Sequence, residues 1–379
     1  MHFFSGSMFL SRQIKKGKTG FRMTSTLPNF EGFEARSTFR YDADVKWFPH
    51  HMAQAKVAIP KKLPIVDLVV EVRDARLPLT SAQFELDELI RIRPGRHRIV
   101  VLNKSDLVTK ESCRRSISLL ELQGTPILST SALNGSNVSE IISFIKENVE
   151  VKFKSLGVTV MVAGLPNTGK STLLNAMKSY VNNPALDKAP AKMSGIPGST
   201  QHLGKIMINS HHPKIYVLDT PGVMITRSSI LGEENGSDLM MKLAAIGCMP
   251  DTIPGITMVA DYILFTLNRL GYFKYVEYSG MKTPSNDISE VVDGMARRIN
   301  DGSNRLDHHA GTLKFIHLFR QGKFGKICLD DLPDIEKTLS EIQNVGNFLT
   351  EPPGPWGPES YPSNRLISRS IYSPKTPLV

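Results

Sequence analysis

The chain has 379 residues and a formal net charge of +10, and its 41% hydrophobic content is typical of a globular protein and not of a disordered one. Its three cysteines lie far apart without a CxxC pair, which excludes a disulfide scaffold and disfavours a structural zinc site. No apolar run reaches the roughly 18 residues of a membrane span, so we expect a soluble, intracellular protein with reduced thiols.

The positive charge is concentrated at the amino-terminal end. Residues 1–62 contain 11 Lys+Arg against 4 Asp+Glu, and the first 30 residues contain no acid. Aromatic and aliphatic residues are interspersed there among serines and threonines. This composition predicts an organelle-targeting, otherwise disordered leader over residues 1–40, and a basic tail that contacts RNA is the alternative.

The middle of the chain alternates between short apolar runs and helical periodicity. The apolar runs, which predict strands, cover residues 65–72, 99–102, 126–128, 158–163, 206–208 and 215–218. Helical patterns lie between them, at 112–123, 138–148 and 171–180. This alternation predicts an α/β fold with a mostly parallel sheet, whose functional site lies at the carboxyl ends of the strands.

From about residue 236 the pattern becomes helical. Helices are predicted over 238–246, 257–270, 288–300 and 304–321. The predicted domains are a leader (1–40), an α/β domain (41–235), a smaller helical domain (236–351) and a proline-rich disordered tail (352–379). The segment 295–326 is locally basic, which is typical either of an RNA-binding patch or of a solvated helix face.

Two motifs at strand ends predict a guanine site. The sequence NKSD begins at Asn103 and fits the NKxD pattern. The Asp106 carboxylate can accept hydrogen bonds from N1–H and the 2-amino group of guanine, which adenine does not present. Asn103 is expected to brace the site, and the Lys104 stem to pack over the ring. Ser131 and Ala132, after the next apolar run, are expected to supply a backbone N–H for the guanine carbonyl.

A glycine-rich segment predicts a phosphate site. GLPNTGKS, from Gly164 to Ser171, fits GxxxxGK[ST] and lies between an apolar run and a helical pattern, as this motif requires. Loop and helix N–H groups are expected to hold the phosphates, with Lys170 at the β- and γ-phosphates and the Ser171 hydroxyl on Mg²⁺. The predicted nucleotide-binding residues of this segment are Asn167, Thr168, Gly169, Lys170, Ser171 and Thr172.

Two later segments complete the predicted magnesium site. Asp219 begins the sequence DTPG at a strand end, where a carboxylate can hold Mg²⁺, often through water. Gly222 leaves room for its N–H to approach the γ-phosphate. Thr200 lies between the two phosphate motifs, and its hydroxyl is expected to complete the Mg²⁺ shell and sense the γ-phosphate. We assign Lys170 and Thr200 to catalysis.

The order of the motifs is that of a known family. The base motifs precede the phosphate motifs, whereas ordinary GTPases have the reverse order. The chain therefore resembles the circularly permuted ribosome-assembly GTPases of the YlqF/RbgA type, over residues 44–330, and among them the mitochondrial ribosome-associated branch. Three further segments are similar to that family: WFPHHMA at 47–53, DARLP at 74–78 and FRQGKFG at 319–325. Asp74 and Arg76 are expected to form a structural ion pair, with a partner surface as the alternative.

The resemblance implies a Ras-like sheet entered at a different strand. It implies a GTP-hydrolysing switch that binds the large subunit of the mitochondrial ribosome and its rRNA, with no DNA partner. GTP or GDP and Mg²⁺ are then expected, in a monomer in the mitochondrial matrix. Peripheral contact with the inner membrane and a chloroplast location are the alternatives left open. Candidate rRNA contacts are the basic segment 295–326 and Arg91, Arg93, Arg96 and Arg98.

The residues after Gly222 predict slow hydrolysis in isolation. Apolar residues fill 223–225, where many GTPases carry a glutamine that orients the attacking water. The resemblance implies two replacements: His51, which matches the family's histidine, and a K⁺ ion held with the help of Asn167. The family's glycine before that histidine is His50 here. A guanine-nucleotide scaffold without turnover is the alternative function, and NKSD disfavours a metabolic kinase.

Overall fold

The computed structural model describes the α/β and helical parts of the chain with gaps between them. The described residues are 30, 32–39, 41, 59–83, 97–122, 124–149, 157–182, 205–209, 213–219, 236–299 and 306–335. None of the helices in these ranges is both long and apolar enough to span a membrane.

A six-stranded sheet is the centre of the described α/β part. Its strands are β1 (Leu68–Asp74), β2 (His97–Asn103), β3 (Ile127–Ser129), β4 (Val158–Gly164), β5 (Lys205–Asn209) and β6 (Ile215–Asp219). They lie in the order β3-β2-β1-β4-β6-β5, and only β5 is antiparallel to its neighbour. Each predicted apolar run forms a strand, and the sheet is mostly parallel, as predicted.

The strand order brings the predicted motifs to one edge. β4 lies between β1 and β6, and the aligned pairs near the strand ends are Asp74 with Asn103, Val72 with Gly164, and Val162 with Asp219. Because these strands are parallel, the loops at their carboxyl ends are neighbours. This is the arrangement expected of a Ras-like sheet whose chain begins at a different strand.

Helices cover both faces of the sheet. They are α1 (Lys110–Glu121), α2 (Val138–Asn148) and α3 (Lys170–Asn182). On one face, Ile141 of α2 and Leu173 of α3 pack with alternate residues of the strands. On the other face, Leu120 of α1 packs near β2, and Ile59 packs against β1 and β4. The central strands are therefore buried on both sides, which explains their nearly continuous apolar sequences.

The helical region contains α4 (Gly236–Ala245), α5 (Ile256–Arg269), α6 (Lys274–Ser279), α7 (Ile288–Ile299) and α8 (His308–Arg320). Four of these match the predicted helical patterns, whereas the six-residue α6 is too short to show a helical period. Their core includes Tyr275, Phe315 and Phe324, and also Leu77 and Leu165 from the α/β part. The helical region therefore packs directly on the loops after β1 and β4.

An amino-terminal strap, residues 30, 32–39 and 41, packs on the helical region. The Arg36 guanidinium donates to both carboxylate oxygens of Asp261, at 2.6 and 3.1 Å. The Phe39 ring lies 5.1 Å from the Tyr262 ring, centre to centre, in an edge-to-face arrangement. The predicted leader of residues 1–40 therefore overlaps a segment that packs as part of the folded protein, because its aromatic residues find an apolar surface there.

A buried carboxylate organises the start of the sheet. Glu71 is fully buried, accepts a hydrogen bond from Arg73 Nε at 2.8 Å, and is ion-paired with Arg98. Burial alone would raise the pKa of Glu71, but the two guanidinium groups hold it at about 2. Arg98 was expected to contact rRNA, and this is corrected: its charge neutralises Glu71 inside the protein. Arg91, Arg93 and Arg96 lie outside the described residues.

We expect Glu71→Gln to remove a pH-dependent part of the stability. The pKa of Glu71 is lowered from 4.5 to about 2 in the folded protein. Its contribution is therefore fully present above about pH 4.5 and is lost as the pH falls towards about 2. This corresponds to about 3 kcal/mol at neutral pH. Urea denaturation of wild type and variant between pH 7 and pH 3 should show a difference in unfolding free energy that shrinks as the pH falls.

The matched control is Glu140→Gln, which changes an exposed glutamate of α2. It should follow the wild-type curve at every pH. A difference between wild type and Glu71→Gln that stayed constant with pH would contradict the assignment.

Candidate functional site

Some of the predicted site residues lie outside the described ranges. They are His51, Thr200 and Gly222, together with the whole segment 47–53. Asp219 is described only as the last residue of β6. The roles assigned to these residues stay predictions, and the geometry below concerns the remaining ones.

The loop after β4 approaches its neighbours so closely that two glycines are required. A Cβ on Gly164 would lie 2.3 Å from the carbonyl oxygen of Val72, and one on Gly169 would lie 2.3 Å from Asn103 Nδ2. Both glycines also have positive φ, +154° and +91°. Asn167, at φ +59°, occupies the left-handed region that asparagine tolerates better than most residues. The loop therefore has the tight, backbone-lined form expected of a phosphate-binding turn.

Helix α3 begins at Lys170, directly after this loop. The first N–H groups of a helix are not used by its own hydrogen-bonding pattern, so this end of α3 favours an anion in the loop. Lys170 is 7% exposed, and its ammonium donates to the Leu165 carbonyl at 2.7 Å, which keeps it inside the loop. Thr168 donates its hydroxyl to the same carbonyl at 2.9 Å. Ser171 is exposed on the first turn and Thr172 is half-buried.

Two of the three predicted magnesium ligands, Ser171 and Asp219, belong to chain segments at the same edge of the sheet, whereas Thr200 lies outside the described residues. Asp219 is aligned with Val162 of β4, two residues before the loop begins, and Ser171 follows the loop on α3. Hydroxyl and carboxylate oxygens are ligands that Mg²⁺ accepts, usually with water and substrate phosphates. Within the described residues, no cluster of three or more His, Cys, Asp or Glu could hold a metal ion. The Ser171 hydroxyl is of the right chemical type for a magnesium ion shared with a nucleotide, and the roles of Asp219 and Thr200 stay predictions.

Asn103 joins the base loop, residues 103–106, to two other loops. Its Nδ2 donates to the Thr168 carbonyl at 2.8 Å, and its Oδ1 accepts from the Ala132 N–H at 3.0 Å. The side chain is 2% exposed. The predicted bracing role of Asn103 is therefore present in the geometry. The Ser131 N–H is also donated internally, to the Ser136 carbonyl at 3.2 Å, so both amides expected at the guanine carbonyl already have partners.

Lys104 bridges the base loop and the phosphate loop, residues 164–171. Its Nζ lies 2.6 Å from the Asn167 carbonyl oxygen and 2.9 Å from Asp74 Oδ2. Asp74 is buried and also pairs with Arg76 at 2.8 Å. Burial alone would raise the pKa of Asp74, but Arg76 and Lys104 hold it well below its usual range. The predicted structural ion pair of Asp74 and Arg76 is confirmed.

Asp106 differs from these braced groups. It lies in the 3₁₀ turn Ser105–Leu107 and is half-buried. Its carboxylate makes no hydrogen bond or ion pair with another residue in the described part of the chain, whereas Asp74 has two cationic partners. The Asp106 oxygens are therefore available to accept hydrogen bonds from a base.

Two contacts with the helical region were not predicted from the sequence. Asn167 Nδ2 donates to the Gly247 carbonyl at 2.5 Å, so the side chain expected to help hold K⁺ is tied to the helical region through its amide. Arg320 was expected in the basic RNA patch, and this is corrected. Its guanidinium donates to the Ala244 and Ala245 carbonyls at 2.7 and 3.1 Å and pairs with Asp251, so it caps α4.

We expect Asn103→Ala to weaken guanine-nucleotide binding by about 30-fold or more. The change leaves the buried Thr168 carbonyl and the Ala132 N–H without a partner, at about 1–3 kcal/mol each. Part of this cost appears as lost affinity, because a bound nucleotide needs the base and phosphate loops in register. Titration with a fluorescent GDP analogue measures it. Asn134→Ala, an exposed asparagine in the neighbouring turn, is the control. An affinity within threefold of wild type would contradict the bracing role.

Comparison with known proteins agrees with the permuted motif order. A family model described as 50S ribosome-binding GTPase matches residues 159–293. This range begins in β4 and includes the phosphate loop, but it leaves out the base motif at 103–106. That is the expected result when the base part of the domain precedes the phosphate part in the chain.

Relatives match over most of the chain. Mitochondrial ribosome-associated GTPase 1 of Xenopus tropicalis is 32% identical over 305 residues, spanning 75% of this chain and 94% of the relative. Ribosome biogenesis GTPase A of Bacillus cereus is 28% identical over 313 residues, spanning 79% and 98%. The crystal structure of GNP-bound YlqF from T. maritima is 23% identical, covers 74% of this chain and 100% of that one, and gives a TM-score of 0.47.

The Xenopus tropicalis relative meets this chain at 32% identity over three quarters of its length, and the NKSD and phosphate loops lie side by side in permuted order. The chain therefore belongs to the circularly permuted GTPases of the YlqF/RbgA type, in their mitochondrial ribosome-associated branch.

Proposed function

We propose that this GTPase binds the large subunit of the mitochondrial ribosome and its rRNA, and acts as a switch in the assembly of that subunit. The observation that carries the proposal is the hydrogen bond from Asn103 to the Thr168 carbonyl, which holds the base loop and the phosphate loop side by side. The names of the relatives, which refer to ribosome association and ribosome biogenesis, support the choice of partner.

In the proposed site, Asp106 reads guanine and Lys170 contacts the β- and γ-phosphates. Ser171, Thr200 and Asp219 hold Mg²⁺, which stabilises the charge that develops on the phosphates. Mg²⁺ is therefore part of the proposal, and its support is the position of Ser171 at the start of α3 and of Asp219 at the end of β6.

The attacking water needs a group other than a glutamine. We assign its positioning to His51, with K⁺ as a second source of positive charge near the transferred phosphate. Asn167 donates its amide to Gly247, so its side-chain oxygen is the atom left to face a cation. The apolar residues 223–225 make the basal rate low.

The switch would act through the contact between the phosphate loop and the helical region. Leu165 packs in the core of the helical region, and Asn167 is hydrogen-bonded to it. A nucleotide that changes the conformation of this loop would therefore change the relative free energies of different positions of the helical region. The chain also runs from DTPG into α4, so both routes join the γ-phosphate side of the site to the helices.

The helical region also presents basic side chains that support an rRNA surface. Five lysines and arginines of the predicted basic patch are exposed: Arg297, Arg298, Lys314, Lys323 and Lys326. Unlike Arg320, these five residues do not cap α4. Phosphate contacts of this kind should weaken with salt. We place the protein as a monomer in the mitochondrial matrix, in line with the mitochondrial names of its relatives.

We expect mitochondrial large subunits to stimulate GTP turnover by the full-length chain, more strongly in K⁺ than in Na⁺. Lys170→Ala should abolish the stimulated rate, because the ammonium stabilises charge on the phosphates. His51→Ala should lower it by about 100-fold, the usual scale for loss of a proton-handling side chain. Phosphate release under saturating GTP is the measurement.

The control for His51→Ala is His50→Ala, which removes the adjacent imidazole and should have little effect. Guanine-nucleotide binding without any stimulated turnover would contradict the switch and favour the alternative, a GTP- or GDP-binding scaffold. Equal losses in the two histidine variants would contradict a specific role for His51.

A further inference from the structure

A short carboxy-terminal segment runs back from the helical region to the nucleotide-binding loops. This return segment, residues 327–330, follows α8 and the glycine turn that starts at Gly322. The Ile327 N–H donates to the Leu107 carbonyl at 3.0 Å, and the Leu329 N–H donates to the Arg76 carbonyl at 2.8 Å. Two alternate residues of the segment, Ile327 and Leu329, therefore hydrogen-bond to the loops after β2 and β1.

The far end of the return segment is fixed by Asp330. The residue is 8% exposed, and its carboxylate accepts hydrogen bonds from the Leu79 N–H at 2.7 Å and the Thr80 N–H at 2.9 Å. The Thr80 hydroxyl donates to its other oxygen. Ile327 and Leu329 are each 4% exposed and belong to the core of the helical region. The segment is therefore held from both sides and cannot shift along the loops without breaking several contacts.

The turn before the return segment approaches the base loop closely. A Cβ on Gly322 would lie 2.8 Å from Leu107 Cδ2, and its φ of +72° is one that glycine adopts without strain. The FRQGKFG segment thus brings the chain against the side chain of Leu107, while Ile327 holds the carbonyl of the same residue.

Leu107 is the residue next to Asp106, the carboxylate assigned to guanine. On the other side of Asp106, the Ser105 N–H donates to the Thr130 carbonyl at 3.1 Å. The turn that presents the carboxylate is therefore anchored at both ends, by the loop after β3 and by the return segment. The first anchor belongs to the α/β part, whereas the second is supplied by residues that follow α8 in the chain.

We propose that the return segment is a specificity-determining element of the nucleotide site: the Ile327 amide positions Asp106 so that its carboxylate meets both hydrogen-bond donors of guanine. Ile327 acts as a positioning residue, since it touches Leu107 and not the base. The inference rests on the proposed binding of guanine by Asp106. It makes guanine selectivity depend on the docking of the helical region.

The comparison of GDP with IDP isolates this role. Hypoxanthine keeps N1–H but lacks the 2-amino group, so the two nucleotides differ only in one hydrogen bond to Asp106. A variant that merely loosens the fold weakens the binding of both nucleotides alike. It leaves unchanged the ratio of the IDP dissociation constant to the GDP dissociation constant. A displaced carboxylate loses the second hydrogen bond and lowers that ratio.

The experiment measures GDP and IDP affinities of the full chain in Mg²⁺, for wild type, Ile327→Pro and Ile327→Ala. Proline removes the N–H donor, whereas alanine keeps it and removes most of the side chain. Wild type should prefer GDP by about tenfold or more, the scale of a hydrogen bond to a charged group. Ile327→Pro should lose most of that preference, and Ile327→Ala should keep it within about twofold.

A folded Ile327→Pro protein that keeps the wild-type ratio would overturn the inference, as would an equal loss in Ile327→Ala. Should Ile327→Pro fail to fold, Asp330→Asn decides the question, because it weakens the outer anchor while keeping the side-chain shape. A lowered ratio in Asp330→Asn supports the inference, and an unchanged ratio in that folded protein overturns it. A wild type that does not distinguish GDP from IDP would instead overturn the assignment of Asp106, a separate result.

Discussion

The buried carboxylate of Asp74 joins parts of the nucleotide site that lie far apart in the chain. It pairs with Lys104, whose ammonium continues to the phosphate loop, and with Arg76. Arg76 in turn donates to the Arg320 carbonyl at 3.4 Å and accepts from Leu329. Two cations thus share one buried anion, and removing the anion would leave both uncompensated, which is far more destabilising than losing a surface ion pair. This one carboxylate therefore connects the base loop, the phosphate loop and the helical region through the side chains that bind it.

The helical region therefore forms one side of the nucleotide site and is not a separate, independently placed domain. Gly247 shows this in one residue, since its carbonyl accepts from Asn167 while the Arg320 guanidinium lies against its α-carbon. A side chain there would approach Arg320 at 3.2 Å, with a positive φ as a second obstacle. The phosphate loop and the cap of α4 are therefore mechanically connected through a residue that carries no side chain. Coupling between nucleotide and helices needs no long pathway, because the two are in direct contact.

Local patterns in the sequence predicted the elements well and their partners less well. All the predicted strands formed, because a strand buried on both faces must be apolar along its whole length. The loops with NKSD and GLPNTGKS were also found, since their glycines and side chains are required at fixed spacing. The roles of Arg98 and Arg320 were predicted wrongly, because the sequence alone does not show which buried carboxylate or helix end a basic residue neutralises. Such pairings depend on long-range contacts, which periodicity does not report.

The amino-terminal strap has a consequence for how the chain is made. Arg36 and Asp261 are 225 residues apart, so the strap leaves the ribosome well before its binding surface exists. At about 5–20 residues per second, this delay is roughly 10 to 45 s. During that time Phe39 and its neighbours have no partner, because the helices on which they pack have not yet been synthesised. Folding of the helical region must therefore finish late, with contacts of long sequence separation, and the growing chain carries an exposed aromatic segment that chaperones are suited to protect.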